Sequence, residues 1–194
     1  MVKASFVPGT LYAIHGLHDW IYYGQVSATK SVGFFRYRSR EIVAADVVLA
    51  NAIMSDLGVW KATVGQALRQ GVWVKIGKVP LHPALAGPRS YVIWSAAAAP
   101  GETVEVWTVQ PNVAPRDQRD DYYRTSVDDP TIQNLEIAAA WGAVEHIPKR
   151  LEADFGAEPG EWHIGGPIWR ERRFRAELAR RAQARQAQSP SAEP

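Results

Sequence analysis

The histidines and carboxylates offer the first chemistry to weigh. His15, His18 and Asp19 fall within the run His-Gly-Leu-His-Asp, and imidazole with carboxylate is the ligand vocabulary of zinc and related ions. The spacing argues against a hydrolytic centre. A His-x-x-His pair on a turn lacks the i, i+4 helical register of a zinc hydrolase, and no glutamate stands between the two as a base. His82, His146 and His163 have no partner nearby in the chain. The Gly-x-Ser-x-Gly elbow, the Gly-x-x-x-x-Gly-Lys phosphate loop and the Gly-x-Gly-x-x-Gly dinucleotide turn are all missing. With no cysteine, thiol nucleophiles, thiolate zinc sites and disulfides are excluded together. The expectation is a protein that is not an enzyme and has no cofactor and no metal.

Two other runs suit recognition better than catalysis. Arg116-Asp-Gln-Arg-Asp-Asp-Tyr-Tyr-Arg124 combines carboxylates that steer a basic partner with aromatic side chains that provide rigid contact area. Asp117, Asp120, Asp121, Tyr122 and Tyr123, with Asp128 beyond them, are the candidate partner-binding residues. Adjacent pairs such as Asp120-Asp121 and Asp128-Asp129 read equally as solvated loop carboxylates, and Asp129 before Pro130 reads as a helix cap. Near the end of the chain, seven arginines lie between Arg170 and Arg185 against Glu171 and Glu177 alone, a local excess of five positive charges. Because the whole chain carries only +2, the rest is mildly acidic, and attraction for a polyanion must be concentrated here. Arg172, Arg173, Arg175, Arg180 and Arg181 are the candidates for such contact. No aromatic stacking platform is interleaved with them, Phe174 reading as an apolar anchor, which weakens a nucleic-acid reading.

These residues need elements to position them. Gly9 to His15, Trp20 to Val26 and Val32 to Arg38 read as three strands of an antiparallel meander. Gly24 and Gly33 within them mark a bulge or a close backbone approach that lets the sheet curl. Ile42 to Leu49 fits a buried strand or the start of a helix, and strand is the expectation. Trp60 to Gln70, followed by Gly71, predicts a short helix stopped by a glycine. Val72 to Gly77 resumes a strand, Val79 to Pro88 is a proline-rich loop, and Tyr91 to Ser95 pairs with Thr103 to Gln110 as a hairpin. In that hairpin Val104, Val106 and Thr108 share one face, and Glu105, Trp107 and Val109 the other. Gln110 to Pro130 is expected to be a long exposed loop. Ile147, Leu151 and Phe155 space a helix that begins near Pro148 and ends at Gly156. A Gly- and Pro-rich linker follows from Glu158 to Pro167. Trp169 to Gln188 is a basic helix with Phe174 and Leu178 as its later apolar anchors, and the last residues, Gln188 to Pro194, suit disorder.

The fold class expected is therefore α+β: a strongly bent antiparallel sheet or partial barrel with a few short packing helices and a basic C-terminal helix. Residues 1–168 would form one β-rich domain and 169–194 a tail. The 8 Trp, 7 Tyr and 5 Phe suit half-buried sheet surfaces. The longest mostly apolar run, Ile42 to Met54, is broken by Asp46 and Asn51 and falls short of the ~20 residues a bilayer crossing needs. With no basic-then-apolar leader at the start, a cytoplasmic location is expected, with no membrane partner.

Four segments of the first half carry a family resemblance: Gly9-Thr-Leu-Tyr-Ala-Ile14, Tyr23-Gly-Gln-Val26, Gly33-Phe-Phe35 and Trp73-Val-Lys-Ile-Gly-Lys-Val-Pro-Leu81. In order and spacing they resemble the immunity protein 26 family of bacterial polymorphic-toxin systems, over roughly residues 6 to 95. His15 stands where the family pattern suggests proline, and the basic tail has no counterpart in it. The resemblance implies an antidote that binds one cognate toxin effector domain and blocks it, and it transfers no catalytic residue. The alternative is a small-barrel nucleic-acid-binding protein that uses the arginine-rich tail.

Overall fold

The computed structural model describes residues 6–94, 103–111, 113, 121–156 and 166–188, without the side chains of 140, 187 and 188. The expected strand Tyr91 to Ser95 therefore runs out of the described residues at its end, and Asp117, Asp120, His163, most of the 158–167 linker and 189–194 lie outside them.

The first three strands form as their patterns predict. β1 (Thr10–His15), β2 (Ile21–Val26) and β3 (Val32–Ser39) pair in sequence as antiparallel neighbours. β4 (Ile53–Val59) adds antiparallel to β3, β5 (Trp73–Lys78) adds antiparallel to β1, and the short β10 (Ala140–Trp141) runs parallel to β4. The first sheet thus has the order β10-β4-β3-β2-β1-β5. Alternation sends Tyr12 and Ile14 to one side and Leu11 and Ala13 to the other. Both sides are covered, so all of β2 is buried. One face packs Tyr22, Phe34, Leu57 and Trp73 beneath α2 (Lys61–Arg69) and α3 (His146–Gly156), which contribute Val64, Ala67, Ile147 and Leu151. The opposite face packs Tyr23 and Phe35 against Val48 of α1 (Ala45–Leu49).

Both glycines singled out in the meander are sites of close approach. A Cβ on Gly33 would lie 2.3 Å from Leu85 Cδ2, and one on Gly24 would lie 2.9 Å from Val32 Cγ1 and 3.0 Å from the Phe34 ring. Beside Gly24 the β2–β3 register shifts, with Tyr22 opposite Arg38 but Gly24 opposite Phe34. The extra residues of β3 bend the sheet there.

The second sheet has the order β8-β7-β6-β9. β6 (Arg89–Ile93), β7 (Thr103–Val109) and β8 (Tyr122–Ser126) are antiparallel, and β9 (Glu136–Ile137) is parallel to β6. Its inner face, Val92, Val104 and Val106, closes on Val127, Ile132 and Ile168, the last at the start of α4 (Ile168–Gln188). The α+β class stands. The strands form two sheets not closed into a barrel, where one strongly bent antiparallel sheet or a partial barrel was the expectation.

Three local expectations are corrected. Ile42 to Leu49 does not form a strand: Ala45–Leu49 is a short helix, its end held by Asn51 Nδ2 donating to the Val47 carbonyl at 2.8 Å. The strand of that region is β4 instead, whose buried side is Ser55, Leu57 and Val59. Within the expected loop from Gln110 to Pro130, Tyr122–Ser126 is a strand in register with β7. Leu178 is also no anchor, being about half exposed, whereas Ile168 is fully buried. Among the described residues no helix is long and apolar enough to cross a membrane.

Candidate interaction surface

The two sheets are tied by buried ionic contacts. Arg89 of β6 donates from Nη2 to the Asp56 carbonyl of β4 at 2.9 Å, with the Asp56 carboxylate 3.5 Å from its Nε. Arg150 of α3 is 1% exposed and donates from Nη2 to Glu136 Oε1 of β9 at 2.7 Å and from Nε to Asp154 Oδ1 at 2.8 Å. Arg170 of α4 donates to the same Asp154 carboxylate. Burial pushes the carboxyls of Asp56 and Glu136 above their ordinary range, against the lowering pull of Arg89 and Arg150 respectively. The pairing of these groups joins β4, β6, β9, α3 and α4. Among the described residues no three histidine or carboxylate groups gather as a metal site. His82 Nδ1 accepts from the Ala84 N–H, and His18 sits in a turn at φ 55 whose carbonyl accepts from Arg40.

Only one face of the second sheet is covered by α4. Strand alternation turns the other set of side chains outward, and register aligns them in rows. Tyr91 pairs with Trp107 and Trp107 with Tyr122, which places three aromatic residues side by side across β6, β7 and β8. The Trp107 and Tyr122 rings stack at 4.8 Å with planes 12° apart. In the adjacent row, Ile93 pairs with Glu105 and Glu105 with Arg124. Glu105 holds both rows together, accepting from Trp107 Nε1 at 3.1 Å and from Arg124 Nη2 at 2.9 Å. These donors, Arg124 first, hold its carboxyl below the ordinary range. Toward β4 the surface continues into an open groove of about 450 Å³ lined by Trp60, Arg89, Tyr91 and Val109. Trp60 is 59% exposed. The surface is aromatic, locally rigid and close to neutral.

The candidate residues of the sequence separate on this framework. Tyr122 belongs to the aromatic row. Tyr123, next along the strand, faces the opposite side and is also exposed. Asp121 precedes β8; its carbonyl accepts from the Thr108 N–H and its carboxylate from Gln110 Nε2 at 3.3 Å. Asp128 is ion-paired with Arg172 of α4. Asp129 caps the turn Pro130–Ile132, its Oδ1 accepting from the Thr131 N–H at 2.8 Å. In the basic helix, Arg175 pairs with Glu171 at 2.8 Å and lies 4.0 Å over the Trp94 ring. Arg180 and Arg181 both pair with Glu177, and Arg173 adds to the positive field that lowers its carboxyl. Arg172, Arg175, Arg180 and Arg181 therefore each have a carboxylate partner within the protein. Tyr91, Trp107, Glu105 and Trp60 were not among the sequence candidates. Their signal was present in the Glu105, Trp107, Val109 face of the hairpin, which only the pairing with Tyr91 and Tyr122 turns into a surface.

No protein-family model, no curated protein and no solved structure matches this chain.

Proposed function

We propose that this chain is an immunity protein, which binds and neutralises a cognate bacterial toxin domain in the cytoplasm by protein–protein interaction. The outer face of the second sheet is its contact surface. The observation that supports this reading is the row of half-buried Tyr91 and Trp107 and exposed Tyr122 on the outer face, with the preformed Glu105–Arg124 pair beside it. Large aromatics and arginine are the residues that dominate binding energy at protein interfaces, especially where they are held rigid before contact. The groove at Trp60 accepts a projecting side chain at one end of the row. The resemblance of the first-half strands to the immunity protein 26 family supplies the class of partner.

The rival nucleic-acid reading requires arginines available to phosphates, and the ion pairs along α4 weigh against it. The test is capture of partners from host lysate on the immobilised protein, with nuclease treatment and washes at low and high salt. One stoichiometric polypeptide that survives both is expected. Recovery of nucleic acid that high salt releases would replace this reading with the rival.

A further inference from the structure

A sheet edge that is left open is a template for another strand, and folded proteins protect such edges with lysines, prolines, bulges, short strands or covering segments. Among the described residues the two sheets present four edges, of which three are protected. β5 carries Lys75 and Lys78 and pairs with β1 through a bulge. β10 is two residues long. β9 is equally short, and the chain around Pro167 covers it, bridging to Glu136 and accepting from the Ile137 N–H through Gly166. β8 differs. It is five residues long, pairs with β7 without a bulge, contains neither proline nor lysine, has its single charge, Arg124, paired with Glu105 of its own sheet, and is lined by no further strand among the described residues.

Its free groups can be assigned. The Thr108 N–H donates to the Asp121 carbonyl at 2.9 Å, which makes Asp121–Thr108 a hydrogen-bonded pair. In an antiparallel ladder such pairs alternate, so Tyr123 and Thr125 bond toward β7, while the N–H and C=O of Tyr122 and Arg124 point away from the sheet.

We propose that β8 is a self-association edge: a second copy of this chain pairs its own β8 antiparallel to it, with Tyr122 of each copy opposite Arg124 of the other. The strand is self-complementary in this register and not in its neighbour. Each Tyr122–Arg124 pair exchanges both backbone hydrogen bonds, and each guanidinium meets a tyrosine ring, while Tyr123 meets Tyr123 on the other side. The two-fold register centred on Arg124 sets like charges directly opposite. The pairing joins two four-stranded sheets into one and sets the two aromatic outer faces edge to edge on the same side. A single five-residue strand buries less than the ~1,200 Å² of a stable complex, so the dimer is weak and concentration-dependent. This inference stands on the edge of the sheet and is independent of what binds its face.

Sedimentation equilibrium of the full chain over a wide concentration range tests it, together with Arg124→Pro and Tyr122→Lys. Proline at 124 removes an outward N–H that the β7 ladder does not use, and lysine at 122 faces the arginine of the other copy. The wild type is expected to move from monomer to dimer as concentration rises. Each variant should weaken that equilibrium by about tenfold or more, equivalent to ~1.4 kcal/mol, while keeping the circular dichroism of the wild type. A wild type that stays monomeric at every concentration, or a dimer unaffected by Tyr122→Lys, overturns the proposal. Should Arg124→Pro fail to fold, Tyr122→Lys alone decides.

Discussion

Asp56 and Arg89 meet where β4 of the first sheet passes β6 of the second, and Asp56 Oδ1 is buried with no hydrogen-bond partner among the described residues. An ion pair in such surroundings contends with the cost of removing charge from water. Desolvation is the larger influence on Asp56, so its carboxyl is raised from 3.8. A raised folded-state value means that the protonated form is the one favoured by folding. The stability this group contributes is complete below its unfolded value and is lost as the pH climbs through the folded one. Asp56→Asn removes the titration while keeping the shape. Chemical denaturation from about pH 4 upward should show the variant gaining on the wild type as the pH rises. If instead the wild type gains on the variant as the pH rises, the Arg89 contact, and not burial, governs this carboxyl.

The elements were legible where local pattern and tertiary demand agree. The meander, α2 with its stop at Gly71 (φ 72), the β6–β7 hairpin and α3 all follow from periodicity and punctuation. β4 was not legible because its buried side includes Ser55 and its other side Met54, which blurs the apolar alternation. β8 was hidden among aspartates, and only its pairing with β7 reveals it. The arginine helix was legible as a helix, but its partners Asp128 and Trp94 come from distant positions in the chain. Gly33 shows what the sequence pattern did contain. Gly33→Ala should cost about 1–3 kcal/mol by overpacking against Leu85, and adding Leu85→Ala should make the second change cheaper than it is in the wild type. Thermal melting of the two single variants and the double variant measures that coupling. On α4, Ile168→Ala should cost about 2–5 kcal/mol because Ile168 closes the second core, whereas Leu178→Ala, at an exposed position, should fall within about 0.5 kcal/mol. Equal effects at the two positions would show that the helix is anchored along its whole length.

At the scale of the molecule, the described residues cover the first sheet on both faces and the second on one. The buried ion pairs and α4 hold the second sheet so that its remaining face is presented as a rigid aromatic surface. In the proposed function that surface, more than the basic helix, carries recognition. The most direct test compares capture of the co-purifying polypeptide by three immobilised proteins: the wild type, a Trp107→Ala/Tyr122→Ala variant and an Arg180→Glu/Arg181→Glu variant. Losing two interface aromatics of hot-spot strength, each worth about 2 kcal/mol, should reduce capture by the first variant far more than tenfold, while the second keeps the wild-type level. If the aromatic variant captures its partner as well as the wild type does, or the charge-reversed helix alone abolishes capture, the outer face of the second sheet is not the binding surface.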